Sequence, residues 1–339
     1  MEHRKSMNIA VVGATGMVGG KLLSILEERK FPLGELRLLA SASSAGKKIA
    51  FAGKQLEVAE VGEGRFRGCD VAFFCAGGPV SRDFAPVAAA EGAIVVDKSS
   101  HFRMDDDVPL VVPEVNAEDL SNIPRGIVAS PNCSTIPLVL VLAPLLKSAA
   151  ITRVIVSTYQ AVSGAGREAI DELMEQAAAS LASKPLPKPA VFPRTMAFNL
   201  IPHIDTFVDD CTKEEMKVVH ESRKILHLKD FSVTCTAVRV PVINAHSESV
   251  TIDFERPVSP GEVREILASA PGVVVMDDPA EKIYPVPEDA DGRDEVLVGR
   301  IRQDTSRSGS INLWLVCDNL RKGAATNAVQ IAEALERRR

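Results

Sequence analysis

Three features that would distinguish this chain from ordinary soluble proteins are missing. Its six cysteines show no C-x-x-C spacing, which excludes the usual zinc and disulfide frameworks and indicates reduced thiols. A formal net charge of -6 argues against a nucleic-acid-binding surface. No apolar run approaches the roughly 20 residues that span a bilayer, and no signal-peptide pattern opens the chain. We therefore expect a soluble, cytoplasmic protein with no metal site, no membrane contact and no nucleic-acid partner.

The length and composition are those of a globular protein with two domains. The chain has 339 residues, which is too long for one ordinary core. Its apolar fraction is 46% and its charged fraction is 25%. Aromatic residues are scarce at 4%, but this scarcity does not indicate disorder when the apolar fraction is so high.

The first half begins with a pattern that favours dinucleotide binding. An apolar run at residues 7–12 is followed by Gly-Ala-Thr-Gly-Met-Val-Gly at 13–19 and then by an amphipathic helical pattern. Glycines in such a strand-to-helix turn let the backbone approach a pyrophosphate, which the helix N-terminus stabilises. The predicted cofactor contacts in this turn are Gly13, Thr15, Gly16, Met17, Val18 and Gly19.

The loop after the second predicted strand, at residues 36–40, indicates which dinucleotide binds. A site for NAD would usually carry an acidic residue there to hold the ribose 2′-hydroxyl. This chain instead has Ser41, Ser43 and Ser44 followed by Lys47 and Lys48, a set of hydroxyls and cations suited to a 2′-phosphate. An ordinary polar loop is the alternative interpretation. We predict NADP(H) as the cofactor because of the position after the second strand.

Further strand and helix patterns alternate up to about residue 132, which predicts a doubly wound parallel sheet of the Rossmann-like kind. Arg103 follows one of these strands, where a guanidinium is a candidate clamp for a phosphate or carboxylate. A surface ion pair is the more common role for a loop arginine.

The most informative stretch is Ser-Pro-Asn-Cys-Ser-Thr at residues 130–135. An apolar strand ends there and an apolar helical run begins, so Cys133 lies beside the predicted first turn of a helix. Unpaired backbone N–H groups and the helix dipole favour a thiolate at that place. The alternative is a small, buried and inert cysteine, which we expect for the other five.

The pattern of the second half predicts an inserted α+β domain. Residues 160–166, Gln-Ala-Val-Ser-Gly-Ala-Gly, form a second glycine-rich loop, and a long irregular connection reaches about residue 212. Arg239 and His246 bracket a turn between two strands of a predicted mixed, largely antiparallel sheet. The final helix, over residues 319–335, is expected to return to the first domain. The predicted domains are residues 1–132 with 319–339, which bind NADP, and residues 133–318 for catalysis and dimerisation.

Together, four motifs resemble the aspartate-β-semialdehyde dehydrogenase family: the turn at 13–19, the cysteine motif at 130–135, the loop at 160–166 and Arg-Val-Pro at 239–241 before His246. The resemblance runs in order along almost the whole chain. It implies NADPH-dependent reductive dephosphorylation of L-aspartyl-4-phosphate to the semialdehyde, in the biosynthesis of lysine, methionine and threonine. It also implies a homodimer or homotetramer with a small-molecule substrate.

The resemblance implies a role for each matched residue. Cys133 would be the acyl-thioester nucleophile, His246 the acid/base catalyst, and Gln160 a residue that orients the intermediate. The substrate-binding residues would be Arg239 for the carboxylate, Arg103, Asn132 and Lys217 for the phosphate, and Glu214 near the amino group. Without the resemblance, the Glu214 and Lys217 pair is simply a solvent-facing helical pair. Further cofactor contacts would come from Ser163, Gly164 and Asn319.

The sequence departs from the family pattern at two places, and two alternative functions are also consistent with the motifs. Many members of the family carry arginine where this chain has Ser43, and the residues around Lys98 and His101 also differ from the common pattern. The nearest rival is a reductase of the N-acetyl-glutamyl-phosphate type, whose cysteine usually follows glycine rather than Asn132. The second is a non-catalytic NADP-binding relative, which we would expect to lose Cys133 or His246.

Overall fold

The structure is a computed structural model, and it describes residues 6–338. The chain divides into two compact units. The first unit runs to Asn132 and resumes at Ala324, and the second unit spans Cys133–Gly323. The chain thus re-enters the first unit at Ala324, later than the expected return at Asn319.

The first unit is built around a seven-stranded sheet. Its helices and strands, in chain order, are β1 (Met7–Val12), α1 (Met17–Glu28), β2 (Leu33–Ala40), β3 (Lys48–Phe51), β4 (Lys54–Glu60), β5 (Val71–Phe74), α2 (Gly78–Ala90), β6 (Ile94–Asp97), α3 (Pro113–Asn116) and β7 (Ile127–Ala129). The strand order is β3-β4-β2-β1-β5-β6-β7, and only the β3–β4 pair is antiparallel. This order is the Rossmann-like arrangement, so the predicted fold class is confirmed.

The second unit contains a six-stranded mixed sheet. Its elements are α4 (Thr135–Ser148), β8 (Ile151–Gln160), α5 (Arg167–Leu181), β9 (Phe207–Val208), β10 (Cys211–Thr212), α6 (Lys213–Ile225), β11 (Val233–Arg239), β12 (His246–Phe254), α7 (Pro260–Ala268), β13 (Val273–Val275), α8 (Pro287–Ala290), β14 (Val296–Gln303) and β15 (Ser310–Cys317). The order is β11-β8-β12-β15-β14-β13. Its three central pairings are antiparallel and its two outer pairings are parallel.

Helix α9 (Thr326–Glu336) completes the first unit, and the buried faces of α1 and α9 pack together. Arg29 at the end of α1 forms a 2.7 Å salt bridge with Glu333 of α9. A single helix from residue 319 to 335 was expected. The structure instead has a turn of π-helix at Arg321–Ala325 before α9, so the helical segment starts later and is interrupted. Within residues 6–338, no helix combines the length and apolar character needed to cross a bilayer.

Candidate active site

Four side chains of the candidate site lie at one edge of the second unit's sheet. Gln160, Arg239 and Cys317 are the last residues of β8, β11 and β15, and His246 is the first residue of β12. Gln160 pairs with Arg239 in the parallel β8–β11 register, and His246 pairs with Cys317 across β12 and β15. Strand direction and register therefore bring these residues together although they are far apart in sequence.

Cys133 precedes Ser134, the N-cap of α4, and lies half-buried at this same edge. A Cβ added to Gly323 would lie 3.1 Å from the Cβ of Cys133, so glycine is needed where the segment after β15 passes the cysteine. The charge of Cys133 also acts on the pKa of Arg239 and on that of Cys317, which places all three within electrostatic range.

Arg239 is a buried cation held by a backbone carbonyl. Its Nη1 donates to the carbonyl oxygen of Ala161 at 2.6 Å, and its guanidinium carbon lies 6.0 Å from the ring centroid of Phe192. Burial lowers the pKa of Arg239, while the charges of Glu214 and Cys133 oppose that shift. No carboxylate within residues 6–338 forms a salt bridge with this guanidinium, so its planar fork is available to a bound anion.

His246 is buried and makes its hydrogen bond through one ring nitrogen. Nδ1 accepts from the backbone N–H of Ala161 at 3.0 Å. Nε2 is buried, and no atom of residues 6–338 forms a hydrogen bond with it. Burial, followed by the charge of Arg239, holds the pKa of His246 well below its usual value, so the imidazole is neutral at neutral pH.

The loop after β8 covers both of these side chains. A Cβ added to Gly164 would lie 3.1 Å from Nη1 of Arg239 and 3.2 Å from Nε2 of His246. Any larger residue at this position would crowd the two groups. Gly164 was predicted as a cofactor contact, and the structure places it directly over the histidine and the arginine.

A second polar cluster lies next to this edge. Gln160 Nε2 donates to the hydroxyl of Thr158 and to Oε1 of Glu214, each at 3.3 Å. Lys217 forms salt bridges to Glu214 at 3.0 Å and to Asp205 at 2.8 Å. Burial alone would lower the pKa of Lys217, but the two carboxylates outweigh it and the net shift is upward. The expected solvent-facing pair is therefore part of a partly buried network.

Arg103 and Asn132 belong to the first unit and are both buried. Arg103 donates from Nε to the carbonyl of Ser130 at 3.0 Å and from Nη2 to the carbonyl of Lys98 at 2.9 Å. Lys98 Nζ in turn donates to the Ser130 hydroxyl and to the carbonyl of Pro131. Two cations thus surround the backbone that leads to Asn132.

The predicted dinucleotide turn has the required backbone. Gly13 has φ +85°, and a Cβ there would lie 2.9 Å from the carbonyl of Cys75. Gly19 has no room for a Cβ either, because the Gly13 carbonyl oxygen occupies that space. The turn leads into α1, which has 12 residues, starts at Met17 and includes Val18. A close backbone approach and a helix N-terminus are what a pyrophosphate needs.

The segment after β2 gathers hydroxyls around one lysine. Ser41 and Ser43 hydroxyls lie 3.0 Å apart, and Ser44 accepts from Lys47 Nζ at 3.3 Å. Thr15 from the glycine turn reaches the Ser44 hydroxyl at 3.5 Å. These donors fit a 2′-phosphate, with Lys47 supplying a cation where many family members have arginine at the position of Ser43. Lys48 instead begins β3.

Ser163 and Asn319 lie in the second unit and hold the turn that precedes His246. Asn319 Nδ2 donates to the Ser163 hydroxyl at 3.0 Å, and Asn319 Oδ1 accepts from the backbone of Ala245 at 3.0 Å. The Ser163 hydroxyl also lies 2.9 Å from Oδ1 of Asn244. Both residues were predicted to contact the cofactor, and these contacts give them a structural role as well.

Four of the other cysteines have the environment of inert thiols. Burial raises the pKa of Cys75 to about 12, and it also raises the pKa of Cys69, Cys235 and Cys317. Such groups stay protonated at neutral pH and are poor nucleophiles.

Sequence reasoning missed several groups at this site. Asp205 comes from the long irregular loop, and nothing in its local sequence marks it as a partner of Lys217. Ala161 acts through its backbone N–H and carbonyl, for which the side chain gives no signal. Lys98 was noted only as a departure from a family pattern.

Comparison with known proteins defines the class of protein first. Residues 8–123 match the family model described as "Semialdehyde dehydrogenase, NAD binding domain". Residues 142–322 match "Semialdehyde dehydrogenase, dimerisation domain". The chain is thus a two-domain protein of the semialdehyde dehydrogenase class.

Individual relatives show which semialdehyde dehydrogenases this chain is similar to. The aspartate-semialdehyde dehydrogenase of Aquifex aeolicus is 52% identical, with 96% of this chain and 97% of that protein covered. A Vibrio cholerae aspartate semialdehyde dehydrogenase II, solved in complex with ASA, superposes with a TM-score of 0.95 at 46% identity, covering 98% of this chain and 99% of that one. The Candida albicans enzyme, solved with NADP, gives 0.79 at 26% identity, covering 98% and 99%. The chain belongs to the aspartate-semialdehyde dehydrogenase family.

Proposed function

We propose that this protein reduces L-aspartyl-4-phosphate to L-aspartate-4-semialdehyde, releasing phosphate, with NADPH as the cofactor. The observation that carries this proposal is Cys133 beside the start of α4, at one sheet edge with a buried arginine and a buried neutral histidine. In biosynthesis the product would feed lysine, methionine and threonine. We further propose that the protein works in the cytoplasm as a homodimer or homotetramer.

Cys133 acts as the nucleophile. Its thiolate attacks the acyl carbon of the substrate, a C–S bond forms, and the C–O bond to phosphate breaks as phosphate leaves with the electron pair. Backbone N–H groups at the beginning of α4 favour the thiolate. Covalent capture divides one difficult displacement into two easier steps.

The bound cofactor supplies the hydride that reduces the thioester. The chain's own contribution is to hold it: the Gly13 turn and α1 receive the pyrophosphate, and the hydroxyls around Lys47 receive the 2′-phosphate. Reduction leaves a tetrahedral oxyanion on Cys133, and cleavage of its C–S bond releases the aldehyde and restores the thiolate.

The remaining residues bind the two ends of the substrate. Arg239 holds the α-carboxylate, because its buried guanidinium has no carboxylate partner in the described chain. Glu214 binds the amino group, and Gln160, which donates to Glu214, orients the intermediate. Arg103, Asn132 and Lys217 bind the phosphate.

One assay tests the function. The purified protein is given aspartate semialdehyde and phosphate, and the reduction of NADP⁺ is followed, with NAD⁺ and with N-acetylglutamate semialdehyde as the alternative cofactor and substrate. We expect phosphate-dependent activity with aspartate semialdehyde and NADP⁺. Preference for N-acetylglutamate semialdehyde, or no activity with either substrate, would overturn the proposal.

A further inference from the structure

Asp205 brings a second carboxylate to Lys217. Lys217 Nζ donates to Oδ2 of Asp205 at 2.8 Å and to Oε2 of Glu214 at 3.0 Å. An ammonium group has three N–H donors, so these two carboxylates occupy two of them and leave one for a bound anion. Glu214 lies on α6, as Lys217 does, whereas Asp205 lies on the long loop between α5 and β9. The two carboxylates therefore reach the lysine from different segments of the chain.

The loop that carries Asp205 is attached to the rest of the second unit before it reaches the lysine. Gln176 of α5 accepts from the backbone N–H of Met196 at 2.8 Å. Further along, Ile201 exchanges two backbone hydrogen bonds with Arg239, at 2.8 and 2.9 Å. Because these contacts hold the loop, the position of Asp205 does not depend on its salt bridge alone.

The carboxylate of Asp205 is oriented and charged. Its Oδ1 accepts from the backbone N–H of Thr206 at 2.8 Å, while Oδ2 contacts Lys217. Its backbone φ is +68°, in the left-handed region that Asp and Asn adopt more readily than most residues. Burial raises the pKa of Asp205, but Lys217, Thr206 and the charge of Lys213 outweigh it, and the net shift is downward. Asp205 is therefore ionised at neutral pH.

The balance of charge at this cluster is unfavourable for an anion. Glu214, Lys217 and Asp205 hold two carboxylates against one ammonium group. The proposed function assigns the phosphate to Lys217, and a phosphate at its remaining N–H donor would lie close to the carboxylate of Asp205. Like charges at this separation repel even in water. The extra carboxylate therefore weakens the binding of phosphate.

We propose that Asp205 is the positioning residue that limits the affinity of the phosphate site, because it keeps a carboxylate permanently on Lys217. This inference rests on the proposed function. Phosphate is a product in the biosynthetic direction, and product release limits the turnover of many enzymes. A site that binds free phosphate weakly releases it sooner.

The effect is confined to phosphate and does not extend to the aldehyde. The hydrogen bonds of Asp205 go to Thr206 and Lys217, and to neither Glu214 nor Arg239, the groups proposed for the amino and carboxylate ends of the substrate. Loss of the Asp205 charge should thus change the KM for phosphate and leave the KM for aspartate semialdehyde within about twofold of wild type.

Titration of the full-length, NADP⁺-bound protein with inorganic phosphate measures the affinity without any aldehyde. Asp205→Asn should lower the Kd for phosphate about fivefold, or about 1 kcal/mol, which is the repulsion of two unit charges about 4 Å apart in water. The gain should shrink as added KCl screens the charges. Asn keeps the left-handed backbone and a side-chain oxygen for Thr206, so the loop should fold as before.

Two matched variants show whether the charge at this position is responsible. Asp210→Asn removes one charge from the exposed turn between β9 and β10 and should bind phosphate as wild type does. Asp205→Glu keeps the charge and should stay closer to wild type than Asp205→Asn. A Kd that is unchanged or higher in Asp205→Asn, or an equal gain in Asp210→Asn, would overturn the proposal.

Steady-state kinetics of the phosphate-dependent reduction of NADP⁺ give the second measurement. In Asp205→Asn the KM for phosphate should fall while the KM for aspartate semialdehyde is retained; a parallel change in both would show a merely structural role and overturn the proposal. No phosphate binding by the wild-type protein would also overturn it. A wrong substrate assignment would appear differently, as the expected phosphate affinities in the titration without activity towards aspartate semialdehyde.

Discussion

Gln160 and Arg239 end neighbouring parallel strands and are register partners, so both side chains reach the same edge of the sheet. Gln160 donates to Glu214, and Arg239 donates to the carbonyl of Ala161, the residue that follows Gln160. This pair of strands therefore carries Arg239, proposed for the carboxylate end of the substrate, and Gln160, which contacts Glu214 of α6, proposed for the amino end.

Replacing Arg239 with lysine should weaken substrate recognition although the charge is kept. Lysine cannot donate to the Ala161 carbonyl and grip a carboxylate with a planar fork at the same time. The loss of one charge-assisted hydrogen bond, about 1.5–3 kcal/mol, predicts a fall of roughly 10- to 150-fold in kcat/KM for aspartate semialdehyde. Steady-state kinetics measure it, and an unchanged kcat/KM would remove Arg239 from the binding site.

Gly13→Ala should lower both stability and NADPH affinity. The positive φ costs an L-residue about 1–2 kcal/mol, and the new methyl would press on the carbonyl of Cys75. Gly20→Ala is the matched control, because that helical glycine has open space around its Cβ. It should stabilise the protein by about 0.5–1 kcal/mol and leave NADPH binding unchanged. Thermal unfolding and NADPH titration distinguish the two variants; equal effects would argue against the proposed turn.

Lys47→Ala should weaken binding of NADPH and not of NADH. Lys47 joins the hydroxyl cluster at Ser44, so the loss of its charge removes an interaction that only a 2′-phosphate would make. About 1.4 kcal/mol corresponds to a tenfold increase in the Kd for NADPH. Lys48→Ala is the control, since Lys48 begins β3 and lacks this contact. If Lys48→Ala had the larger effect, the phosphate would bind elsewhere.

Glu248→Gln should stabilise the protein at neutral pH. The carboxyl of Glu248 is fully buried on β12, neither of its oxygens has a hydrogen-bond partner within residues 6–338, and burial raises its pKa well above the usual value. The folded chain then keeps a proton that the unfolded chain releases above about pH 4.3, so its stability falls as the pH rises through that range. Glutamine does not titrate, so the variant does not lose stability as the pH rises.

Thermal unfolding of wild type and Glu248→Gln at two pH values checks this expectation. The variant should have the higher Tm at about pH 8, and the difference should shrink at about pH 3, where glutamate is protonated in both states. A difference that does not depend on pH would show that Glu248 is not neutral in the folded protein.

The glycine turn and the alternating first half could be read from the sequence, because strand, turn and helix each leave a local pattern. The β3–β4 hairpin was missed. Its strands are short and half-exposed, and they follow the serine-rich segment that looked like a loop. Strand β2 also begins earlier than expected, at Leu33, where its first residues are not buried.

The residues of the candidate site divide in the same way, into those that a local sequence pattern marks and those that it does not. Side chains with distinctive chemistry, such as Cys133 and His246, could be singled out from motifs. The contacts of Ala161, the pairing of Asp205 with Lys217 and the burial of Glu248 could not, because they depend on strand register and on a long loop folding back. The orientation of the His246 ring is therefore a property of the fold and not of any motif.

The central claim is that Cys133 forms an acyl-thioester, and trapping tests it most directly. The protein is mixed with aspartate semialdehyde and NADP⁺ without phosphate, quenched in acid and analysed by intact mass and peptide mapping. We predict one aspartyl adduct on Cys133, its release when phosphate is added before quenching, and no adduct in Cys133→Ala, which should still bind NADPH. Turnover by wild type with no adduct, or an adduct on another residue, would contradict the account.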